Sequence, residues 1–220
     1  MQINEQRALV LPIATETVTK KITKKVDGKD ATESVTEDVV KVWAYHTPIS
    51  KEVFDSHFRV LAATKSALSD KGAHYLRVTA PRVAYLTLKD EGKKDAFARG
   101  LIDAQGHARD EETPALMAEM KRLTMILAPG ANGWDTLPVD AALSAGKIDA
   151  EDWEEVASSI VFFSCHYAMA RKADRETTAR AYAFLLDASI TSSTPMEFVA
   201  SLPNSIPAQP TPSPRSSIPS

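Results

Sequence analysis

Residues 15–48, TETVTKKITKKVDGKDATESVTEDVVKVWAYHTP, decide how the chain begins to fold. Threonines and β-branched residues dominate the stretch, which is strand composition rather than helix composition. Val40, Val42 and Ala44 alternate with Lys41, Trp43 and Tyr45, so two sets of side chains face opposite sides of one strand. The earlier run ALVLPI (8–13) is a partner strand, and Asp27-Gly28 has the chemistry of a tight hairpin turn. A second reading stays open at this stage: Val18, Ile22 and Val26 are spaced by four, as on one face of a basic helix.

Downstream of Pro48 the period changes. Phe54, Phe58, Leu61 and Leu68 define a helix face, with Ser50 as N-cap, Glu52 in the first turn and Lys71-Gly72 closing it. Residues 79–94, TAPRVAYLTLKDEGKK, form a second helix capped by Thr79 and ended by Gly92, and QGHARDEE (105–112) reads as a solvated connection. A third helix runs through ETPALMAEMKRLTMILAPG (112–130) on Leu116, Met120, Leu123 and Leu127, stopped by Pro129-Gly130. A short helix from about Pro138 to Ala145 follows. The strongest signal is DAEDWEEVASSIVFFSCHYAMARK (149–172): Asp149 caps it, acids crowd its N-terminus, and its centre is apolar almost all round. Residues 174–190 form another helix, and Thr194-Pro195 opens a last short one ending at Leu202.

The expected fold class is therefore mainly α. A small β-rich N-terminal arm, a hairpin, occupies 1–49, a helical domain 50–202, and a disordered Pro/Ser-rich tail 203–220. Six prolines among eighteen residues with few large apolar side chains bury too little surface to offset the entropy of ordering that tail.

Composition bounds the function. The chain has 220 residues, 44% of them hydrophobic and 25% charged, and 26 basic residues nearly cancel 29 acidic ones. That balance supplies no general attraction to nucleic acid or to an anionic membrane, and the basic KKITKKV is offset by the acidic ESVTED across the turn. No run of about 18 apolar residues suggests a membrane span, and the N-terminus lacks the pattern of an export signal. The lone Cys165 suits a reducing compartment.

Each candidate for chemistry has a structural reading. Cys165 and His166 are helix neighbours pointing about 100° apart, which suits a core cysteine beside a polar-face histidine better than a reacting pair. His46 and His57 lack metal-ligand spacing. The carboxylates at 110–112 and 149–155 fall in a polar loop and at a helix N-terminus. No nucleophile elbow, Walker loop or dinucleotide fingerprint is present, and the expectation is a non-enzyme without cofactor or metal. Trp43 and Tyr45, on the strand face opposite Val40 and Val42, are either core or a partner surface. With Phe198 and Leu202 of the last helix they are the candidate partner-binding residues.

Three stretches carry a family resemblance: VWAYHTPISKEVFDSHFRVLAATKSAL (42–68), GWDTLPVDAALSAGKIDAEDWEEVASSIVFFSCHYAMA (133–170) and ITSSTPMEFVASLP (190–203) with the Pro/Ser/Thr tail behind it. Together they resemble the tail assembly chaperones of bacteriophages with long non-contractile tails. The resemblance implies a protein of the host cell cytoplasm, absent from the mature virion, that coats the helical tape measure protein and helps recruit tail tube protein. Self-association is compatible with it. It also implies a short and a frameshift-extended product joined near the C-terminus. A structural minor tail protein is the second reading and an uncharacterised enzyme the third.

Overall fold

A computed structural model describes residues 7–26, 29–131 and 133–202. The expectation of a mainly α chain is corrected: the fold is α/β, 55% helix and 24% strand, around a five-stranded antiparallel sheet. In chain order the elements are β1 (Ala8–Val26), β2 (Lys29–His46), α1 (Lys51–Ser56), α2 (Phe58–Ser69), α3 (Ala73–Val78), α4 (Ala80–Ala98) and α5 (Glu112–Arg122). Then come β3 (Thr124–Gly130), β4 (Gly133–Pro138), α6 (Val139–Ser144), α7 (Ala150–Tyr167), α8 (Arg175–Leu185), β5 (Ser189–Thr191) and α9 (Pro195–Ser201). The strand order is β4-β3-β2-β1-β5, so one sheet draws strands from both sides of residue 49.

The missed strands have a physical reason. Leu123 and Leu127 continue the helical spacing of Leu116 and Met120, but α5 stops at Arg122. The Thr124 hydroxyl donates to the Met120 carbonyl at 2.8 Å, and from Thr124 onward the backbone pairs with β2, Ala44 opposite Ile126 and His46 opposite Thr124. A short apolar run satisfies either period, and the ladder of β2 decides for strand. The same holds at 189–190, which the sequence assigns to a helix end and which, with Thr191, pairs with Ala8–Val10.

β1 is one continuous strand, which removes the helical alternative for residues 18–26. Pro12, unable to donate to a ladder, sits where the register shifts between Pro12 and Ala14. Beyond Thr15↔Val40 the two strands run on as a ribbon to Val26↔Lys29. Asp27 and Gly28, the expected turn, lie outside the described residues, as does the tail 203–220.

Two further boundaries are corrected. The first helix breaks at His57 into α1 and α2, although Ser50 caps α1 as expected by accepting from the Val53 N–H. Gly92 does not end its helix; it lies buried inside α4, and a Cβ there would run into Thr113 Oγ1 and the Asp110 carboxylate.

The main core lies between the sheet and the helices. Leu9, Leu11, Val42, Ala44, Ile126 and Ala128 face Leu61, Leu88, Met120, Ile160, Phe162 and Phe163. α4 presents Ala80, Ala84 and Leu88, all fully buried, and the small residues let the apolar centre of α7 approach closely. Each fully buried large side chain contributes roughly 1.5–3 kcal/mol. Asp149 caps α7 in a capping box with Asp152, so the central helix starts where the sequence says.

Candidate functional site

Period-2 alternation sends Leu9, Leu11, Val42 and Ala44 to the helices and leaves Ala8, Val10, Trp43 and Tyr45 on the other face of the sheet. Leu127 joins them from β3, and Trp134 from β4 packs alongside. Uncovered, this would be an apolar aromatic patch. What covers it is α9: Phe198 and Val199 pack onto the cluster. Phe198 meets Trp43 edge-on, with ring centroids 5.8 Å apart and planes at 81°. Its ring lies 6.4 Å from that of Tyr45.

The covering is positioned by a few local devices. β5 pairs with β1, Val10 opposite Ser189, which brings the chain alongside the patch. The Tyr45 hydroxyl donates to the Ser193 carbonyl at 2.5 Å, fastening the turn between β5 and α9. Thr194 and Glu197 form a capping box, with the Thr194 N–H donating to Glu197 at 2.7 Å and the Glu197 N–H donating to Thr194 Oγ1. Those bonds hold the Glu197 carboxyl below the usual range, while burial, then the Glu197 charge, pushes the Tyr45 phenol up.

The cover is thin. α9 is seven residues long with no buried residue, and Met196 on it is 78% exposed. Beneath it the Trp43 indole N–H is buried without a hydrogen-bond partner among the described residues. An unpaired buried donor costs about 1–3 kcal/mol, so the closed face is not the best arrangement for Trp43. Of the four candidate partner-binding residues, Trp43, Tyr45 and Phe198 are thus brought together. Leu202 ends α9, half-buried, and does not pack on the aromatic cluster. Sequence reasoning missed Trp134 and Leu127, because the β3 and β4 strands that complete the face were read as helix and loop; Val10 lies in a strand that was read, on a face of it that was not assigned to partner binding.

The other candidates resolve into structure. Cys165 is fully buried in α7, and burial pushes its thiol up to about 12, which removes it as a nucleophile near neutrality. His166 is buried rather than on a polar face: it stacks on Tyr182 with centroids 4.0 Å apart, and its Nδ1–H donates to the Phe162 carbonyl. His46 contacts Thr124 Oγ1 through Nδ1 at 2.9 Å. Because the Thr124 proton goes to Met120, that Nδ1 is the donor. Both histidines leave Nε2 buried and unpartnered among the described residues. Burial lowers His46 to about 3 and His166 to about 4, so both are neutral packing groups. Asp110 accepts from the Thr113 N–H, Glu111 pairs with Arg109 and Glu112 with Arg99.

A cavity of about 430 Å³ lies between Pro12, Arg77, Arg82, Asp152, Glu155 and Asp187. Asp152 is committed to the α7 cap, where it accepts from the Asp149 N–H. Among the described residues no group of three or more His, Cys, Asp or Glu is placed to hold a metal ion, and no helix is long and apolar enough to cross a membrane.

Comparison with known proteins adds no relative: no family model, curated protein or solved structure matches the chain.

Proposed function

We propose that the chain is a tail assembly chaperone of a long-tailed, non-contractile bacteriophage, and that it binds the tape measure protein through the aromatic face beneath α9. The observation that carries this reading is the contrast between the two faces of the sheet. One is sealed by the packed α2, α4 and α7; the other, with Trp43, Tyr45 and Trp134, is closed, among the described residues, only by a helix that buries none of its own residues. A face of that kind suits an amphipathic helix, which would lay its apolar stripe where Phe198 and Val199 now sit. Tape measure proteins are long and helical in the family that the chain resembles, so the partner would supply such stripes repeatedly.

In this reading α9 protects the face until the partner displaces it. Trp43 and Tyr45 are the floor of the site, and Phe198 and Leu202 move with the cover. The tail tube protein is the second partner, recruited to the coated tape measure protein. The work is done in the host cytoplasm, and the chaperone leaves before the particle is finished. An extended product made by frameshifting would join beyond α9, where added residues disturb no core.

Affinity capture of the cognate tape measure protein by the full chain, combined with mass spectrometry of finished particles, tests the proposal. Capture together with absence from particles is expected. No capture, with stoichiometric presence in particles, makes it a structural tail protein instead.

A further inference from the structure

The buried Trp43 indole N–H has no hydrogen-bond acceptor among the described residues, and α9 supplies none. The residues that α9 lays on the aromatic cluster are Phe198 and Val199, both apolar. Its polar side chains are engaged within the helix and its cap: the Glu197 carboxylate accepts from the Thr194 N–H and hydroxyl, and the Ser201 hydroxyl donates to the Phe198 carbonyl. Tyr45, on the same face, gives its hydroxyl proton to the Ser193 carbonyl. Trp134, packed alongside, brings a second indole, a group that donates and does not accept.

Buried polar groups are nearly always paired, so an exception marks a contact that the closed fold leaves incomplete. Displacing α9 opens the indole to water, and whatever then covers the face buries it a second time. A partner helix with a wholly apolar stripe meets the same penalty that α9 meets. It also competes with a cover tethered to the face through β5 and the Tyr45 bond to Ser193, which gives α9 the advantage of a high effective concentration. A helix that carries one hydrogen-bond acceptor within its stripe, opposite Trp43, escapes the penalty and makes an interaction that α9 does not make.

We infer that Trp43 is the specificity-determining residue of this face, and that it selects partner helices whose apolar stripe is interrupted by one neutral acceptor, the side-chain amide of a glutamine or asparagine, which takes the indole N–H. A neutral amide suits the place better than a carboxylate, because burying a charge under a helix costs far more than burying an amide that finds its partner. Specificity of this kind is strong because the wrong helix leaves a buried donor unpaired rather than merely losing a contact. The inference rests on the reading of the face as a helix-binding site and adds to it which helices are taken.

Titration of the full chain with synthetic amphipathic helical peptides tests it. The parent peptide has a stripe of leucines alone, and in each member of a set one stripe leucine is replaced by glutamine. The wild-type chain is expected to bind one of the glutamine peptides about tenfold more tightly than the parent. In Trp43→Phe, which keeps a ring and loses the N–H, that preference should vanish, and comparing peptides within each protein cancels the change in ring volume. In the NMR spectrum of the wild-type complex, one of the three tryptophan indole protons should move downfield with the preferred peptide and not with the parent, a readout that does not require the variant to fold. A parent that binds the wild type as tightly as every glutamine peptide, or a preference that survives Trp43→Phe, would overturn the inference and leave the helix-binding face in place. A chain that binds none of the peptides would overturn the reading of the face, and the inference with it.

Discussion

The Trp43 and Phe198 rings meet edge to face at 5.8 Å, joining a strand near the start of the chain to the last helix the structure describes. That contact is the centre of the closed aromatic face. Phe198 is only half-buried, and Phe→Ala at a fully buried site costs about 3–5 kcal/mol. Phe198→Ala is therefore expected to lower stability by about 1–2 kcal/mol in urea denaturation, with a red shift of tryptophan emission. Unchanged stability and emission would mean that α9 does not hold the face closed.

The same variant should strengthen partner binding while Trp43→Ala weakens it. A cover worth about 1 kcal/mol reduces apparent affinity about fivefold, and removing its anchor restores that factor. Loss of the tryptophan floor should cost about tenfold or more. Titration of an apolar-faced peptide from the tape measure protein reads both. Equal losses for the two variants would place Phe198 in the binding surface rather than in the cover.

Gly92→Ala separates helix propensity from packing. Alanine gains about 1 kcal/mol over glycine in a helix interior, but this Cβ would collide with Thr113 and Asp110 at the start of α5. Overpacking of about 1–3 kcal/mol outweighs the gain, and a net loss of stability is expected. A more stable variant would show that α5 yields easily.

The buried histidines set an acid limb. In the unfolded chain they titrate near 6.5; folded, burial lowers His46 to about 3 and His166 to about 4, where the Lys65 charge adds to the effect. The unfolded state thus binds more protons below about pH 6.5, and the stability held above that value is lost as pH falls toward the folded pKa values. The slope approaches about 1.4 kcal/mol per pH unit for each histidine. Urea midpoints between about pH 7.5 and 4.5 should fall in the wild type and fall less steeply in His46→Gln. Parallel curves would mean that His46 is accessible to protons in the native state.

The helices with strong caps and long stripes were legible in the sequence. Asp149 starts α7 and Thr194 starts α9 because each side chain meets an orphan backbone N–H within three residues. The alternation at 42–45 correctly separated Val42 and Ala44 from Trp43 and Tyr45. What it could not supply was β3 and β5, whose identity rests on hydrogen bonds to β2 and β1 far away in the chain, or β4, which is a strand only because β3 is there to pair with it. Part of the candidate site went unseen for that reason: Leu127 and Trp134 belong to those strands. Gly92 misled for a related one, since its missing Cβ serves a neighbour, not a helix end.

The most direct test of the central claim is the soluble yield of the cognate tape measure protein expressed with and without this chain. The chaperone reading predicts that the tape measure protein moves into the soluble fraction and co-elutes with the chain, and that Trp43→Ala reduces both. A tape measure protein that stays insoluble, or is soluble to the same extent alone and never co-elutes, would contradict it.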